Sequence, residues 1–593
     1  MTLFRIARDY LRSKKLAFTA IMVLQFVQVI LSLVLPAINA RIIDDGVLTG
    51  NQSLIWQLGI VMLVIAVVQI VAMVGAIYIG AKTAMELGRD LRTRTFRQVQ
   101  SFSAVDQAKF GAPTLITRTT NDVNQVQMVI IAGFTIMVMA PLMGIGGVVM
   151  AIQQNVKLSA LLIVVVPLLA LLILTIIRIL APRYELQQKL IDRVNTLLRE
   201  QLSGVRVIRA FIRQDTQREK FADTNTALRR VWVEIGVLWA FMIPASNLIV
   251  GFACVAVVWF SGHLISAGDM QVGALTAYIS YLMMIMISVM ISGMIVMMYP
   301  RGEVSAKRLQ EIFDVEPSIT APASFRSLPS GPLTFALENV GLQYPGAQQP
   351  VLHNISMSFV PGKTTALIGS TGSGKSSLVR LLPRMLDATT GQVTAGGISV
   401  RDVDPHELRS RIALVPQTAF LFSGTIASNV AGSASAKDTT SHVDRERVER
   451  ALQAAQAWEF VEKLPGGIDA EVESGGKNFS GGQRQRLTIA RAIYRCLPDA
   501  AGKRQADLLV FDDSFSALDY VTDARLRNGL RAFIGDTAVL IVAQRVATIR
   551  DADEIHVLEA GTVVGSGTHD DLLATCETYQ EIVASQIDIE AAL

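Results

Sequence analysis

The chain has 593 residues, of which 51% are hydrophobic and 18% are charged, and its formal net charge is +4. This length predicts several domains, the apolar content is high for a soluble protein, and the small net charge gives no indication of a nucleic-acid partner. The three cysteines, Cys254, Cys496 and Cys576, lie far apart and fit neither a disulfide framework nor a zinc site.

The first 15 residues predict a short amphipathic elbow helix that lies on the cytoplasmic membrane surface. Apolar residues alternate there with basic ones, namely Arg5, Arg8, Arg12, Lys14 and Lys15. The apolar run that follows is too long for the core of a signal peptide, so no cleavable signal is predicted.

Residues 16–300 predict an all-α transmembrane domain with six spans. Each apolar run has roughly 20 residues or more, which is the length needed to cross a bilayer. The runs are Leu16–Ile38, Leu58–Ala81, Met128–Ile152, Leu158–Leu180, Val237–Phe260 and Val272–Met298.

Two long connections, residues 82–127 and 181–236, carry most of the positive charge between the spans. The positive-inside rule therefore places both connections and both chain termini in the cytoplasm. Both connections are rich in helix formers, so we expect membrane helices to continue well into the cytoplasm, with turns near Ala104–Pro113 and Val207–Phe211 that could dock onto the following domain. The alternative is that each connection forms a small independent helical hairpin.

The sixth span contains no Asp, Glu, Lys or Arg. Ionisable residues inside a membrane usually mark the pathway of an ion or a strongly charged cargo. Their absence favours an amphipathic or lipid-like cargo.

Residues 301–332 predict a charged linker, residues 333–580 a compact α/β domain and residues 581–593 a tail. The domain contains G-x-x-x-x-G-K-S between an apolar strand and a helix, the context that a phosphate-binding loop requires. Its backbone N–H groups would bind phosphate, Lys375 would reach the β- and γ-phosphates and Ser376 would bind Mg²⁺. The candidate nucleotide-binding residues of the loop are Gly369, Ser370, Thr371, Gly372, Ser373, Gly374, Lys375, Ser376 and Ser377.

Further candidate site residues flank the loop in sequence. An aromatic ring at Tyr344 could stack on adenine, and Gln417, after the strand-like Ile412–Val415, could reach Mg²⁺ or the attacking water. Asp512 ends the apolar run 508–511 and is placed to hold Mg²⁺. Ser480 has the character of a helix N-cap, and the two glycines after it let backbone approach a second phosphate.

These motifs together resemble the ATPase domain of an ABC transporter, and with six preceding spans the chain resembles a half-transporter of the exporter type. The resemblance implies the type IV exporter fold, bound ATP and Mg²⁺, and two ATPase domains that close head to tail. ATP would then lie between the Walker motifs of one domain and the signature segment of the other. The residues acting on the second domain's nucleotide would be Ser480, Gly481, Gly482, Gln483 and Asp519.

Two positions depart from the family pattern in the same site. Asp513 stands where the family usually has the glutamate that polarises the attacking water, and Gln544 stands where it usually has the switch-loop histidine. An aspartate carboxylate lies roughly 1–1.5 Å farther back, and a displacement near 1 Å can cost on the order of 100-fold in rate. The pattern resembles the degenerate-site subunit of bacterial heterodimeric exporters of multidrug or lipid type. A homodimer with two weak sites is the alternative.

The sequence therefore predicts one half of an ATP-driven exporter of drugs or lipids in the inner membrane of a bacterium, with the ATPase domain in the cytoplasm. An importer with the exporter fold, carrying fatty acids, lipids or a chelated metal, and an ATP-gated channel are the rival readings, because a fold does not fix its function.

Overall fold

The computed structural model describes residues 2–322, 324–432, 443–499, 502 and 504–592. Residues 1 and 593, the ends of the predicted elbow helix and tail, lie outside these ranges. The described chain forms two compact units. The helical unit comprises the residues up to Ser101 together with Phe110–Glu316, and the α/β unit comprises Phe102–Lys109 together with the residues from Pro317 onward. The predicted boundaries of linker and tail stay predictions.

The chain is helical almost without interruption up to residue 313. The α-helices are α1 Thr2–Ser13, α2 Lys15–Arg41, α3 Gln52–Ser101, α4 Ala104–Phe110, α5 Ala112–Thr117, α6 Val123–Ala132, α7 Val138–Gln154, α8 Val156–Ser203, α9 Val205–Ala210, α10 Gln214–Ser266 and α11 Val272–Phe313. Short π-helical segments occupy Ile42–Val47, Arg118–Asp122 and Gly133–Met137.

Six helical stretches in the described chain are long and apolar enough to cross a membrane, which confirms the predicted number of spans. They are Lys15–Val47, Gln52–Ser101, Ala112–Gln154, Val156–Ser203, Gln214–Ser266 and Val272–Phe313.

Several helices extend far beyond the apolar runs that predicted the spans. The helix α3 has 50 residues, α8 has 48 and α10 has 53, which correspond to lengths of roughly 70–80 Å at 1.5 Å per residue. The prediction of continuous extensions is confirmed, and the alternative of small independent hairpins is wrong.

Buried polar groups tie the membrane helices together. The Tyr281 hydroxyl donates to the Leu33 carbonyl at 2.9 Å and the Tyr278 hydroxyl to the Leu158 carbonyl at 3.2 Å. Because a hydrogen bond is stronger where water is excluded, these side chains fix α11 against α2 and α8.

The α/β unit contains a larger, mostly parallel sheet and a smaller antiparallel one. The strands are β1 Phe335–Leu342, β2 Leu352–Phe359, β3 Thr364–Ile368, β4 Thr390–Ala395, β5 Ile398–Ser399, β6 Ile412–Val415, β7 Gly424–Thr425, β8 Glu471–Val472, β9 Leu508–Asp512, β10 Ala538–Val542, β11 Glu554–Glu559 and β12 Thr562–Gly567. The larger sheet has the order β12-β11-β3-β10-β9-β6, the smaller one β2-β1-β4-β5, and β7 pairs with β8.

As expected for parallel strands that are buried on both faces, helices of the α/β unit pack on the larger sheet directly or through other helices. They are α12 Lys375–Leu381, α13 Pro405–Ser410, α14 Ile426–Ala431, α15 Arg445–Ala454, α16 Trp458–Glu462, α17 Gly481–Cys496, α18 Tyr520–Ile534, α19 Val546–Ile549, α20 His569–Thr575 and α21 Glu577–Ala592. The central strands β3, β9 and β10 are almost completely buried, and their apolar side chains divide between two core clusters.

The segment Phe102–Lys109 belongs to the α/β unit although it lies between membrane helices in sequence. The buried Asp106 carboxylate accepts hydrogen bonds from the backbone N–H and hydroxyl groups of both Ser103 and Ser318, at 2.9–3.1 Å. Burial alone raises the pKa of Asp106, but these hydrogen bonds outweigh it and lower the pKa to about 2. One carboxylate therefore joins this segment to the start of the chain's second half.

Candidate nucleotide-binding site

The site forms where four neighbouring parallel strands end. The strands β3, β10, β9 and β6 lie side by side in register, with Val542 opposite both Leu367 and Asp512. Their carboxyl ends consequently meet at one edge of the sheet, which is where open α/β sheets bind ligands. The residues delivered there are the phosphate loop after β3, Gln544 after β10, Asp512 and Asp513 at the end of β9, and Gln417 after β6.

The phosphate loop has a backbone that requires glycine at two of its positions. Gly374, which precedes α12, has φ +104°, and a Cβ there would lie 2.7 Å from the Leu352 side chain. A Cβ on Gly369 would lie 2.1 Å from the Leu558 carbonyl oxygen. The sequence motif therefore corresponds to a tight loop packed against its surroundings.

Lys375 folds back over this loop. Its Nζ donates to the carbonyl oxygens of Gly369 and Ser370, both at 2.7 Å. Burial lowers the pKa of Lys375. These two carbonyl oxygens hold the ammonium at the phosphate loop, where a phosphate would attract it.

The three candidate Mg²⁺ ligands, Ser376, Gln417 and Asp512, line the same cavity. The Ser376 hydroxyl donates to Asp512 at 3.4 Å, and burial raises the pKa of that carboxylate. A hydroxyl, a carboxylate and the Gln417 amide oxygen are the hard oxygen donors that Mg²⁺ prefers, and Mg²⁺ completes its shell with water and substrate phosphates.

The loop, Gln417, both aspartates and Gln544 line one open cavity of about 250 Å³. Tyr344 lies beside it, with its hydroxyl 3.0 Å from the Ser377 hydroxyl. The lining residues are Val351, Thr371, Gly372, Ser373, Gly374, Lys375, Ser376, Ser377, Gln417, Asp512, Asp513, Val542 and Gln544.

Asp513 is held by the two glutamines. Its Oδ2 atom accepts hydrogen bonds from Gln544 Nε2 at 2.7 Å and from Gln417 Nε2 at 3.3 Å. Its backbone has φ +50°, a left-handed conformation that aspartate tolerates better than most residues. Burial raises the pKa of Asp513, whereas Lys375 opposes the rise.

The signature segment Ser480–Gln483 begins helix α17 on a different surface. The Ser480 hydroxyl accepts from the Gln483 N–H at 3.3 Å, and the Gln483 side chain accepts from the Ser480 N–H at 2.9 Å, which forms a capping box. Ser480 and Gly481 are exposed. Within the described residues, no member of this segment lines the 250 Å³ cavity.

Asp519 caps a second helix near that surface. Its carboxylate accepts from the Thr522 N–H at 2.9 Å, and it begins α18. Phe479, the unusual residue before the signature serine, is buried, with its ring 6.5 Å from that of Phe460. Phe479 therefore contributes to the core and leaves the exposed signature surface unchanged.

One residue of the site was missed by sequence reasoning. Gln586, in the segment interpreted as a tail, donates to the Gln544 carbonyl and accepts from the Val546 N–H, both at 2.8 Å. The helical spacing of Ile582, Val583 and Gln586 would have indicated one face of a helix, but no sequence motif marks the strand end that it contacts.

Comparison with known protein families assigns both parts of the chain. Residues 18–290 match the family described as the ABC transporter transmembrane region, and residues 352–498 match the family described as ABC transporter. The second match includes the phosphate loop, Gln417 and the signature segment.

Relatives match along nearly the whole chain. An uncharacterized ABC transporter ATP-binding protein of Mycobacterium tuberculosis is 42% identical over 98% of each chain. A multidrug efflux ATP-binding/permease protein of the same organism is 30% identical over 94% of this chain and 45% of its own length. A solved bacterial Atm1-family ABC exporter with ATP bound superposes with a TM-score of 0.76 at 21% identity, covering 97% of this chain and 98% of that one.

Proposed function

The chain belongs to the ABC transporter family, as a half-transporter with the exporter fold, and from this premise we propose that it is the degenerate-site subunit of a heterodimeric exporter. The family membership makes it a multi-pass membrane protein with an ATP-hydrolysing domain. The proposal adds that ATP is bound but hydrolysed slowly on its own Walker side.

The arrangement around Asp513 carries this proposal. Two neutral amides, those of Gln544 and Gln417, donate to one oxygen of its carboxylate. A general base needs a free lone pair within about 2.6–3.2 Å of the proton that it removes. Both amides contact Oδ2, so Oδ1 would have to accept the proton of the attacking water, from a side chain that is one methylene shorter than that of the usual glutamate.

ATP binding is expected to persist because the binding groups are intact. The phosphate loop, Lys375, Ser376 and Asp512 surround one cavity. Bound Mg²⁺ would neutralise phosphate charge there, with Ser376 and Asp512 as its protein ligands. The departures from the family pattern on the Walker side are confined to Asp513 and Gln544, the residues that would act on the attacking water.

A second half follows from the position of the signature segment. Ser480 and Gly481 are exposed at the start of α17, and the cavity of the same chain does not use them. Nucleotide bound to the partner's Walker motifs would contact these two residues, and the N-terminus of α17 would attract its phosphate. The relative named multidrug efflux protein is more than twice as long as the part that this chain matches, which leaves room for two halves in one polypeptide.

The second cytoplasmic turn supports the same assembly. Around helix α9, the side chains of Val207, Phe211 and Ile212 are 60%, 72% and 84% exposed. Ile212 also has φ +51°, an unfavourable conformation for a β-branched residue. We propose that this apolar tip docks onto the ATPase domain of the second half and transmits its motion to the spans.

Transport would proceed by alternating access in a bacterial inner membrane. Closure of the two ATPase domains on ATP would open the cavity between the spans to the outside, since ATP binds the closed state more tightly than the open one. Hydrolysis at the partner's site would reset the transporter. The apolar sixth span favours amphipathic drugs or lipids as cargo.

The proposal is tested by purifying the chain from its native membrane and identifying the proteins that accompany it. ATP turnover is then measured with Asp513→Ala in this chain and, separately, with the partner's catalytic glutamate changed to glutamine. A second ABC half should co-purify, and only the change in the partner should abolish turnover.

The homodimer alternative makes the opposite prediction. If the chain is isolated alone as a dimer and Asp513→Ala abolishes turnover, Asp513 is the working carboxylate and the heterodimer proposal is wrong. Transport into inside-out vesicles separates export from import.

A further inference from the structure

We infer that Gln586 is a positioning residue of the ATP site: helix α21 fixes the switch loop through this side chain, so that Gln544 points at Asp513 and at the γ-phosphate. This inference rests on the proposed nucleotide site, but it does not depend on whether that site hydrolyses ATP.

The Gln586 amide bridges the switch loop across one residue. Its Nε2 donates to the Gln544 carbonyl oxygen and its Oε1 accepts from the Val546 N–H, both at 2.8 Å. A strand would pair the same two backbone groups with a neighbouring peptide. Because the loop lies beyond the end of β10, the side-chain amide takes the place of that peptide.

The bridge acts on the backbone whose side chain reaches the site. From the residue held by Gln586, Gln544 Nε2 donates to Asp513 Oδ2 at 2.7 Å. The preceding residue is also fixed, since the Ala543 N–H donates to the Leu367 carbonyl at 3.1 Å. The switch loop is thus held on one side by β3 and on the other by α21.

Helix α21 is anchored firmly enough to serve this purpose. Tyr579 is fully buried, and its hydroxyl lies 2.8 Å from His569 Nδ1. Ile582 and Val583 pack against the main core cluster of the α/β unit. Gln586 follows them by four and three residues, which places it on the same face of the helix.

Gln586 also lines a cavity of about 490 Å³ that adjoins the site. Asp513, Ser516, Gln544 and Arg545 line the same cavity. The amide therefore contacts the switch loop beside a cavity that shares Asp513 and Gln544 with the nucleotide-binding cavity. Its loss would leave the Gln544 carbonyl and the Val546 N–H free to rotate, and the Gln544 side chain would lose its fixed direction.

The experiment measures how strongly the site prefers ATP to ADP. Dissociation constants of methylanthraniloyl-ATP and methylanthraniloyl-ADP are determined by fluorescence titration on the full transporter. If the partner is a different chain, its phosphate-loop lysine is changed to alanine so that only this site binds. The ratio of the two constants reports the γ-phosphate contact whether or not hydrolysis occurs.

Gln586→Ala should lower the preference for ATP by about tenfold, the size of one hydrogen bond to a charged group, with the ADP analogue unaffected. Gln544→Ala should lower it equally, and the double variant should lower it no further, because Gln586 acts through Gln544. Gln580→Ala is the matched control, since Gln580 is an exposed glutamine on the same helix whose amide donates to the Leu573 carbonyl. Gln580→Ala should leave the ratio unchanged.

An unchanged ratio in Gln586→Ala, or multiplied losses in the double variant, would overturn the inference. Equal losses for both analogues would also overturn it, because they would indicate general damage to the fold. Failure of the proposed heterodimer would instead appear in the identity of the co-purified chain and in the turnover of the wild type.

Discussion

The two faces of the α/β unit that meet nucleotide in the proposed assembly differ in how well they keep the family pattern. On the Walker side, both departures, Asp513 and Gln544, belong to one hydrogen-bonded group. On the signature side, the single departure is Phe479, which is buried beside Phe460, while Ser480 and Gly481 are exposed. In the proposed assembly, the changes would therefore affect chemistry at one site and leave unchanged the surface offered to the other.

The largest effect is expected on the signature side, whose exposed residues keep the family pattern. Gly481→Asp introduces a carboxylate at the first position of α17, where its interaction with the helix dipole stabilises the helix by about 0.3–1 kcal/mol. The new Cβ would have no atom within 4 Å. The same charge would repel the partner's phosphate. We expect ATP turnover of the assembled transporter to fall about 100-fold, as when a group that stabilises transition-state charge is lost.

Gly529→Asp in α18 is the control, because a Cβ there also meets no atom within 4 Å. It should leave turnover close to the wild type. Retained turnover in Gly481→Asp would show that the signature segment does not complete a competent site.

The second largest effect is expected when the usual family residues are restored on the Walker side. We expect Asp513→Glu combined with Gln544→His to raise hydrolysis at this site about tenfold, since a longer carboxylate regains roughly 1 Å of reach. The gain stays below the full 100-fold because glutamate is less suited than aspartate to φ +50°. Turnover is measured with the partner's catalytic glutamate changed to glutamine, and a double variant no faster than the wild type would contradict the degenerate-site reading.

A smaller effect is expected from Phe479→Leu, which restores the more usual residue. The ring is 7% exposed, and a smaller side chain would leave a void that costs about 1 kcal/mol. The unfolding transition of the α/β unit, followed by calorimetry, should shift down by about 2–4 °C. Turnover should stay unchanged, and a marked rise would mean that Phe479 impairs the signature surface.

The smallest effect is expected from Asp513→Ala. If the partner's site supplies the measured turnover, the steady-state rate should change by less than about twofold. Nucleotide binding, measured by fluorescence titration, should be kept because Lys375, Ser376 and Asp512 are untouched. Loss of turnover would show that ATP hydrolysis needs Asp513, and the proposed asymmetry between the two ATP sites would then be wrong.

Local patterns predicted much of this structure. The apolar runs predicted six spans, and the strand before the phosphate loop, the strand ending in Asp512 and the helix capped by Ser480 lie where their patterns placed them. These features depend on neighbours in sequence: spacing, capping and burial on a strand. The meeting of Gln417, Asp513 and Gln544 required strand order as well, which the family resemblance implied.

Contacts between distant segments could not be predicted in this way. Gln586 lies 42 residues after the backbone that it holds, and Ser318 lies 212 residues after Asp106. A glutamine on a terminal helix and a serine in a proline-containing connection have no local pattern that specifies such partners. Their roles depend on tertiary packing, where a single amide or hydroxyl completes the hydrogen bonds of a buried group.

The Asp106 network has a practical consequence for building chimeric transporters. An ATPase domain exchanged between homologues at a single junction near residue 317 would replace Ser318, and without a hydroxyl at that position the buried Asp106 carboxylate would lose one of its donors. Because an incompletely paired buried charge is costly, a transplanted domain should carry residues 102–109 with it as a second, non-contiguous insert. The segment to exchange in this protein is thus defined by hydrogen bonding and consists of two stretches that are not contiguous in sequence.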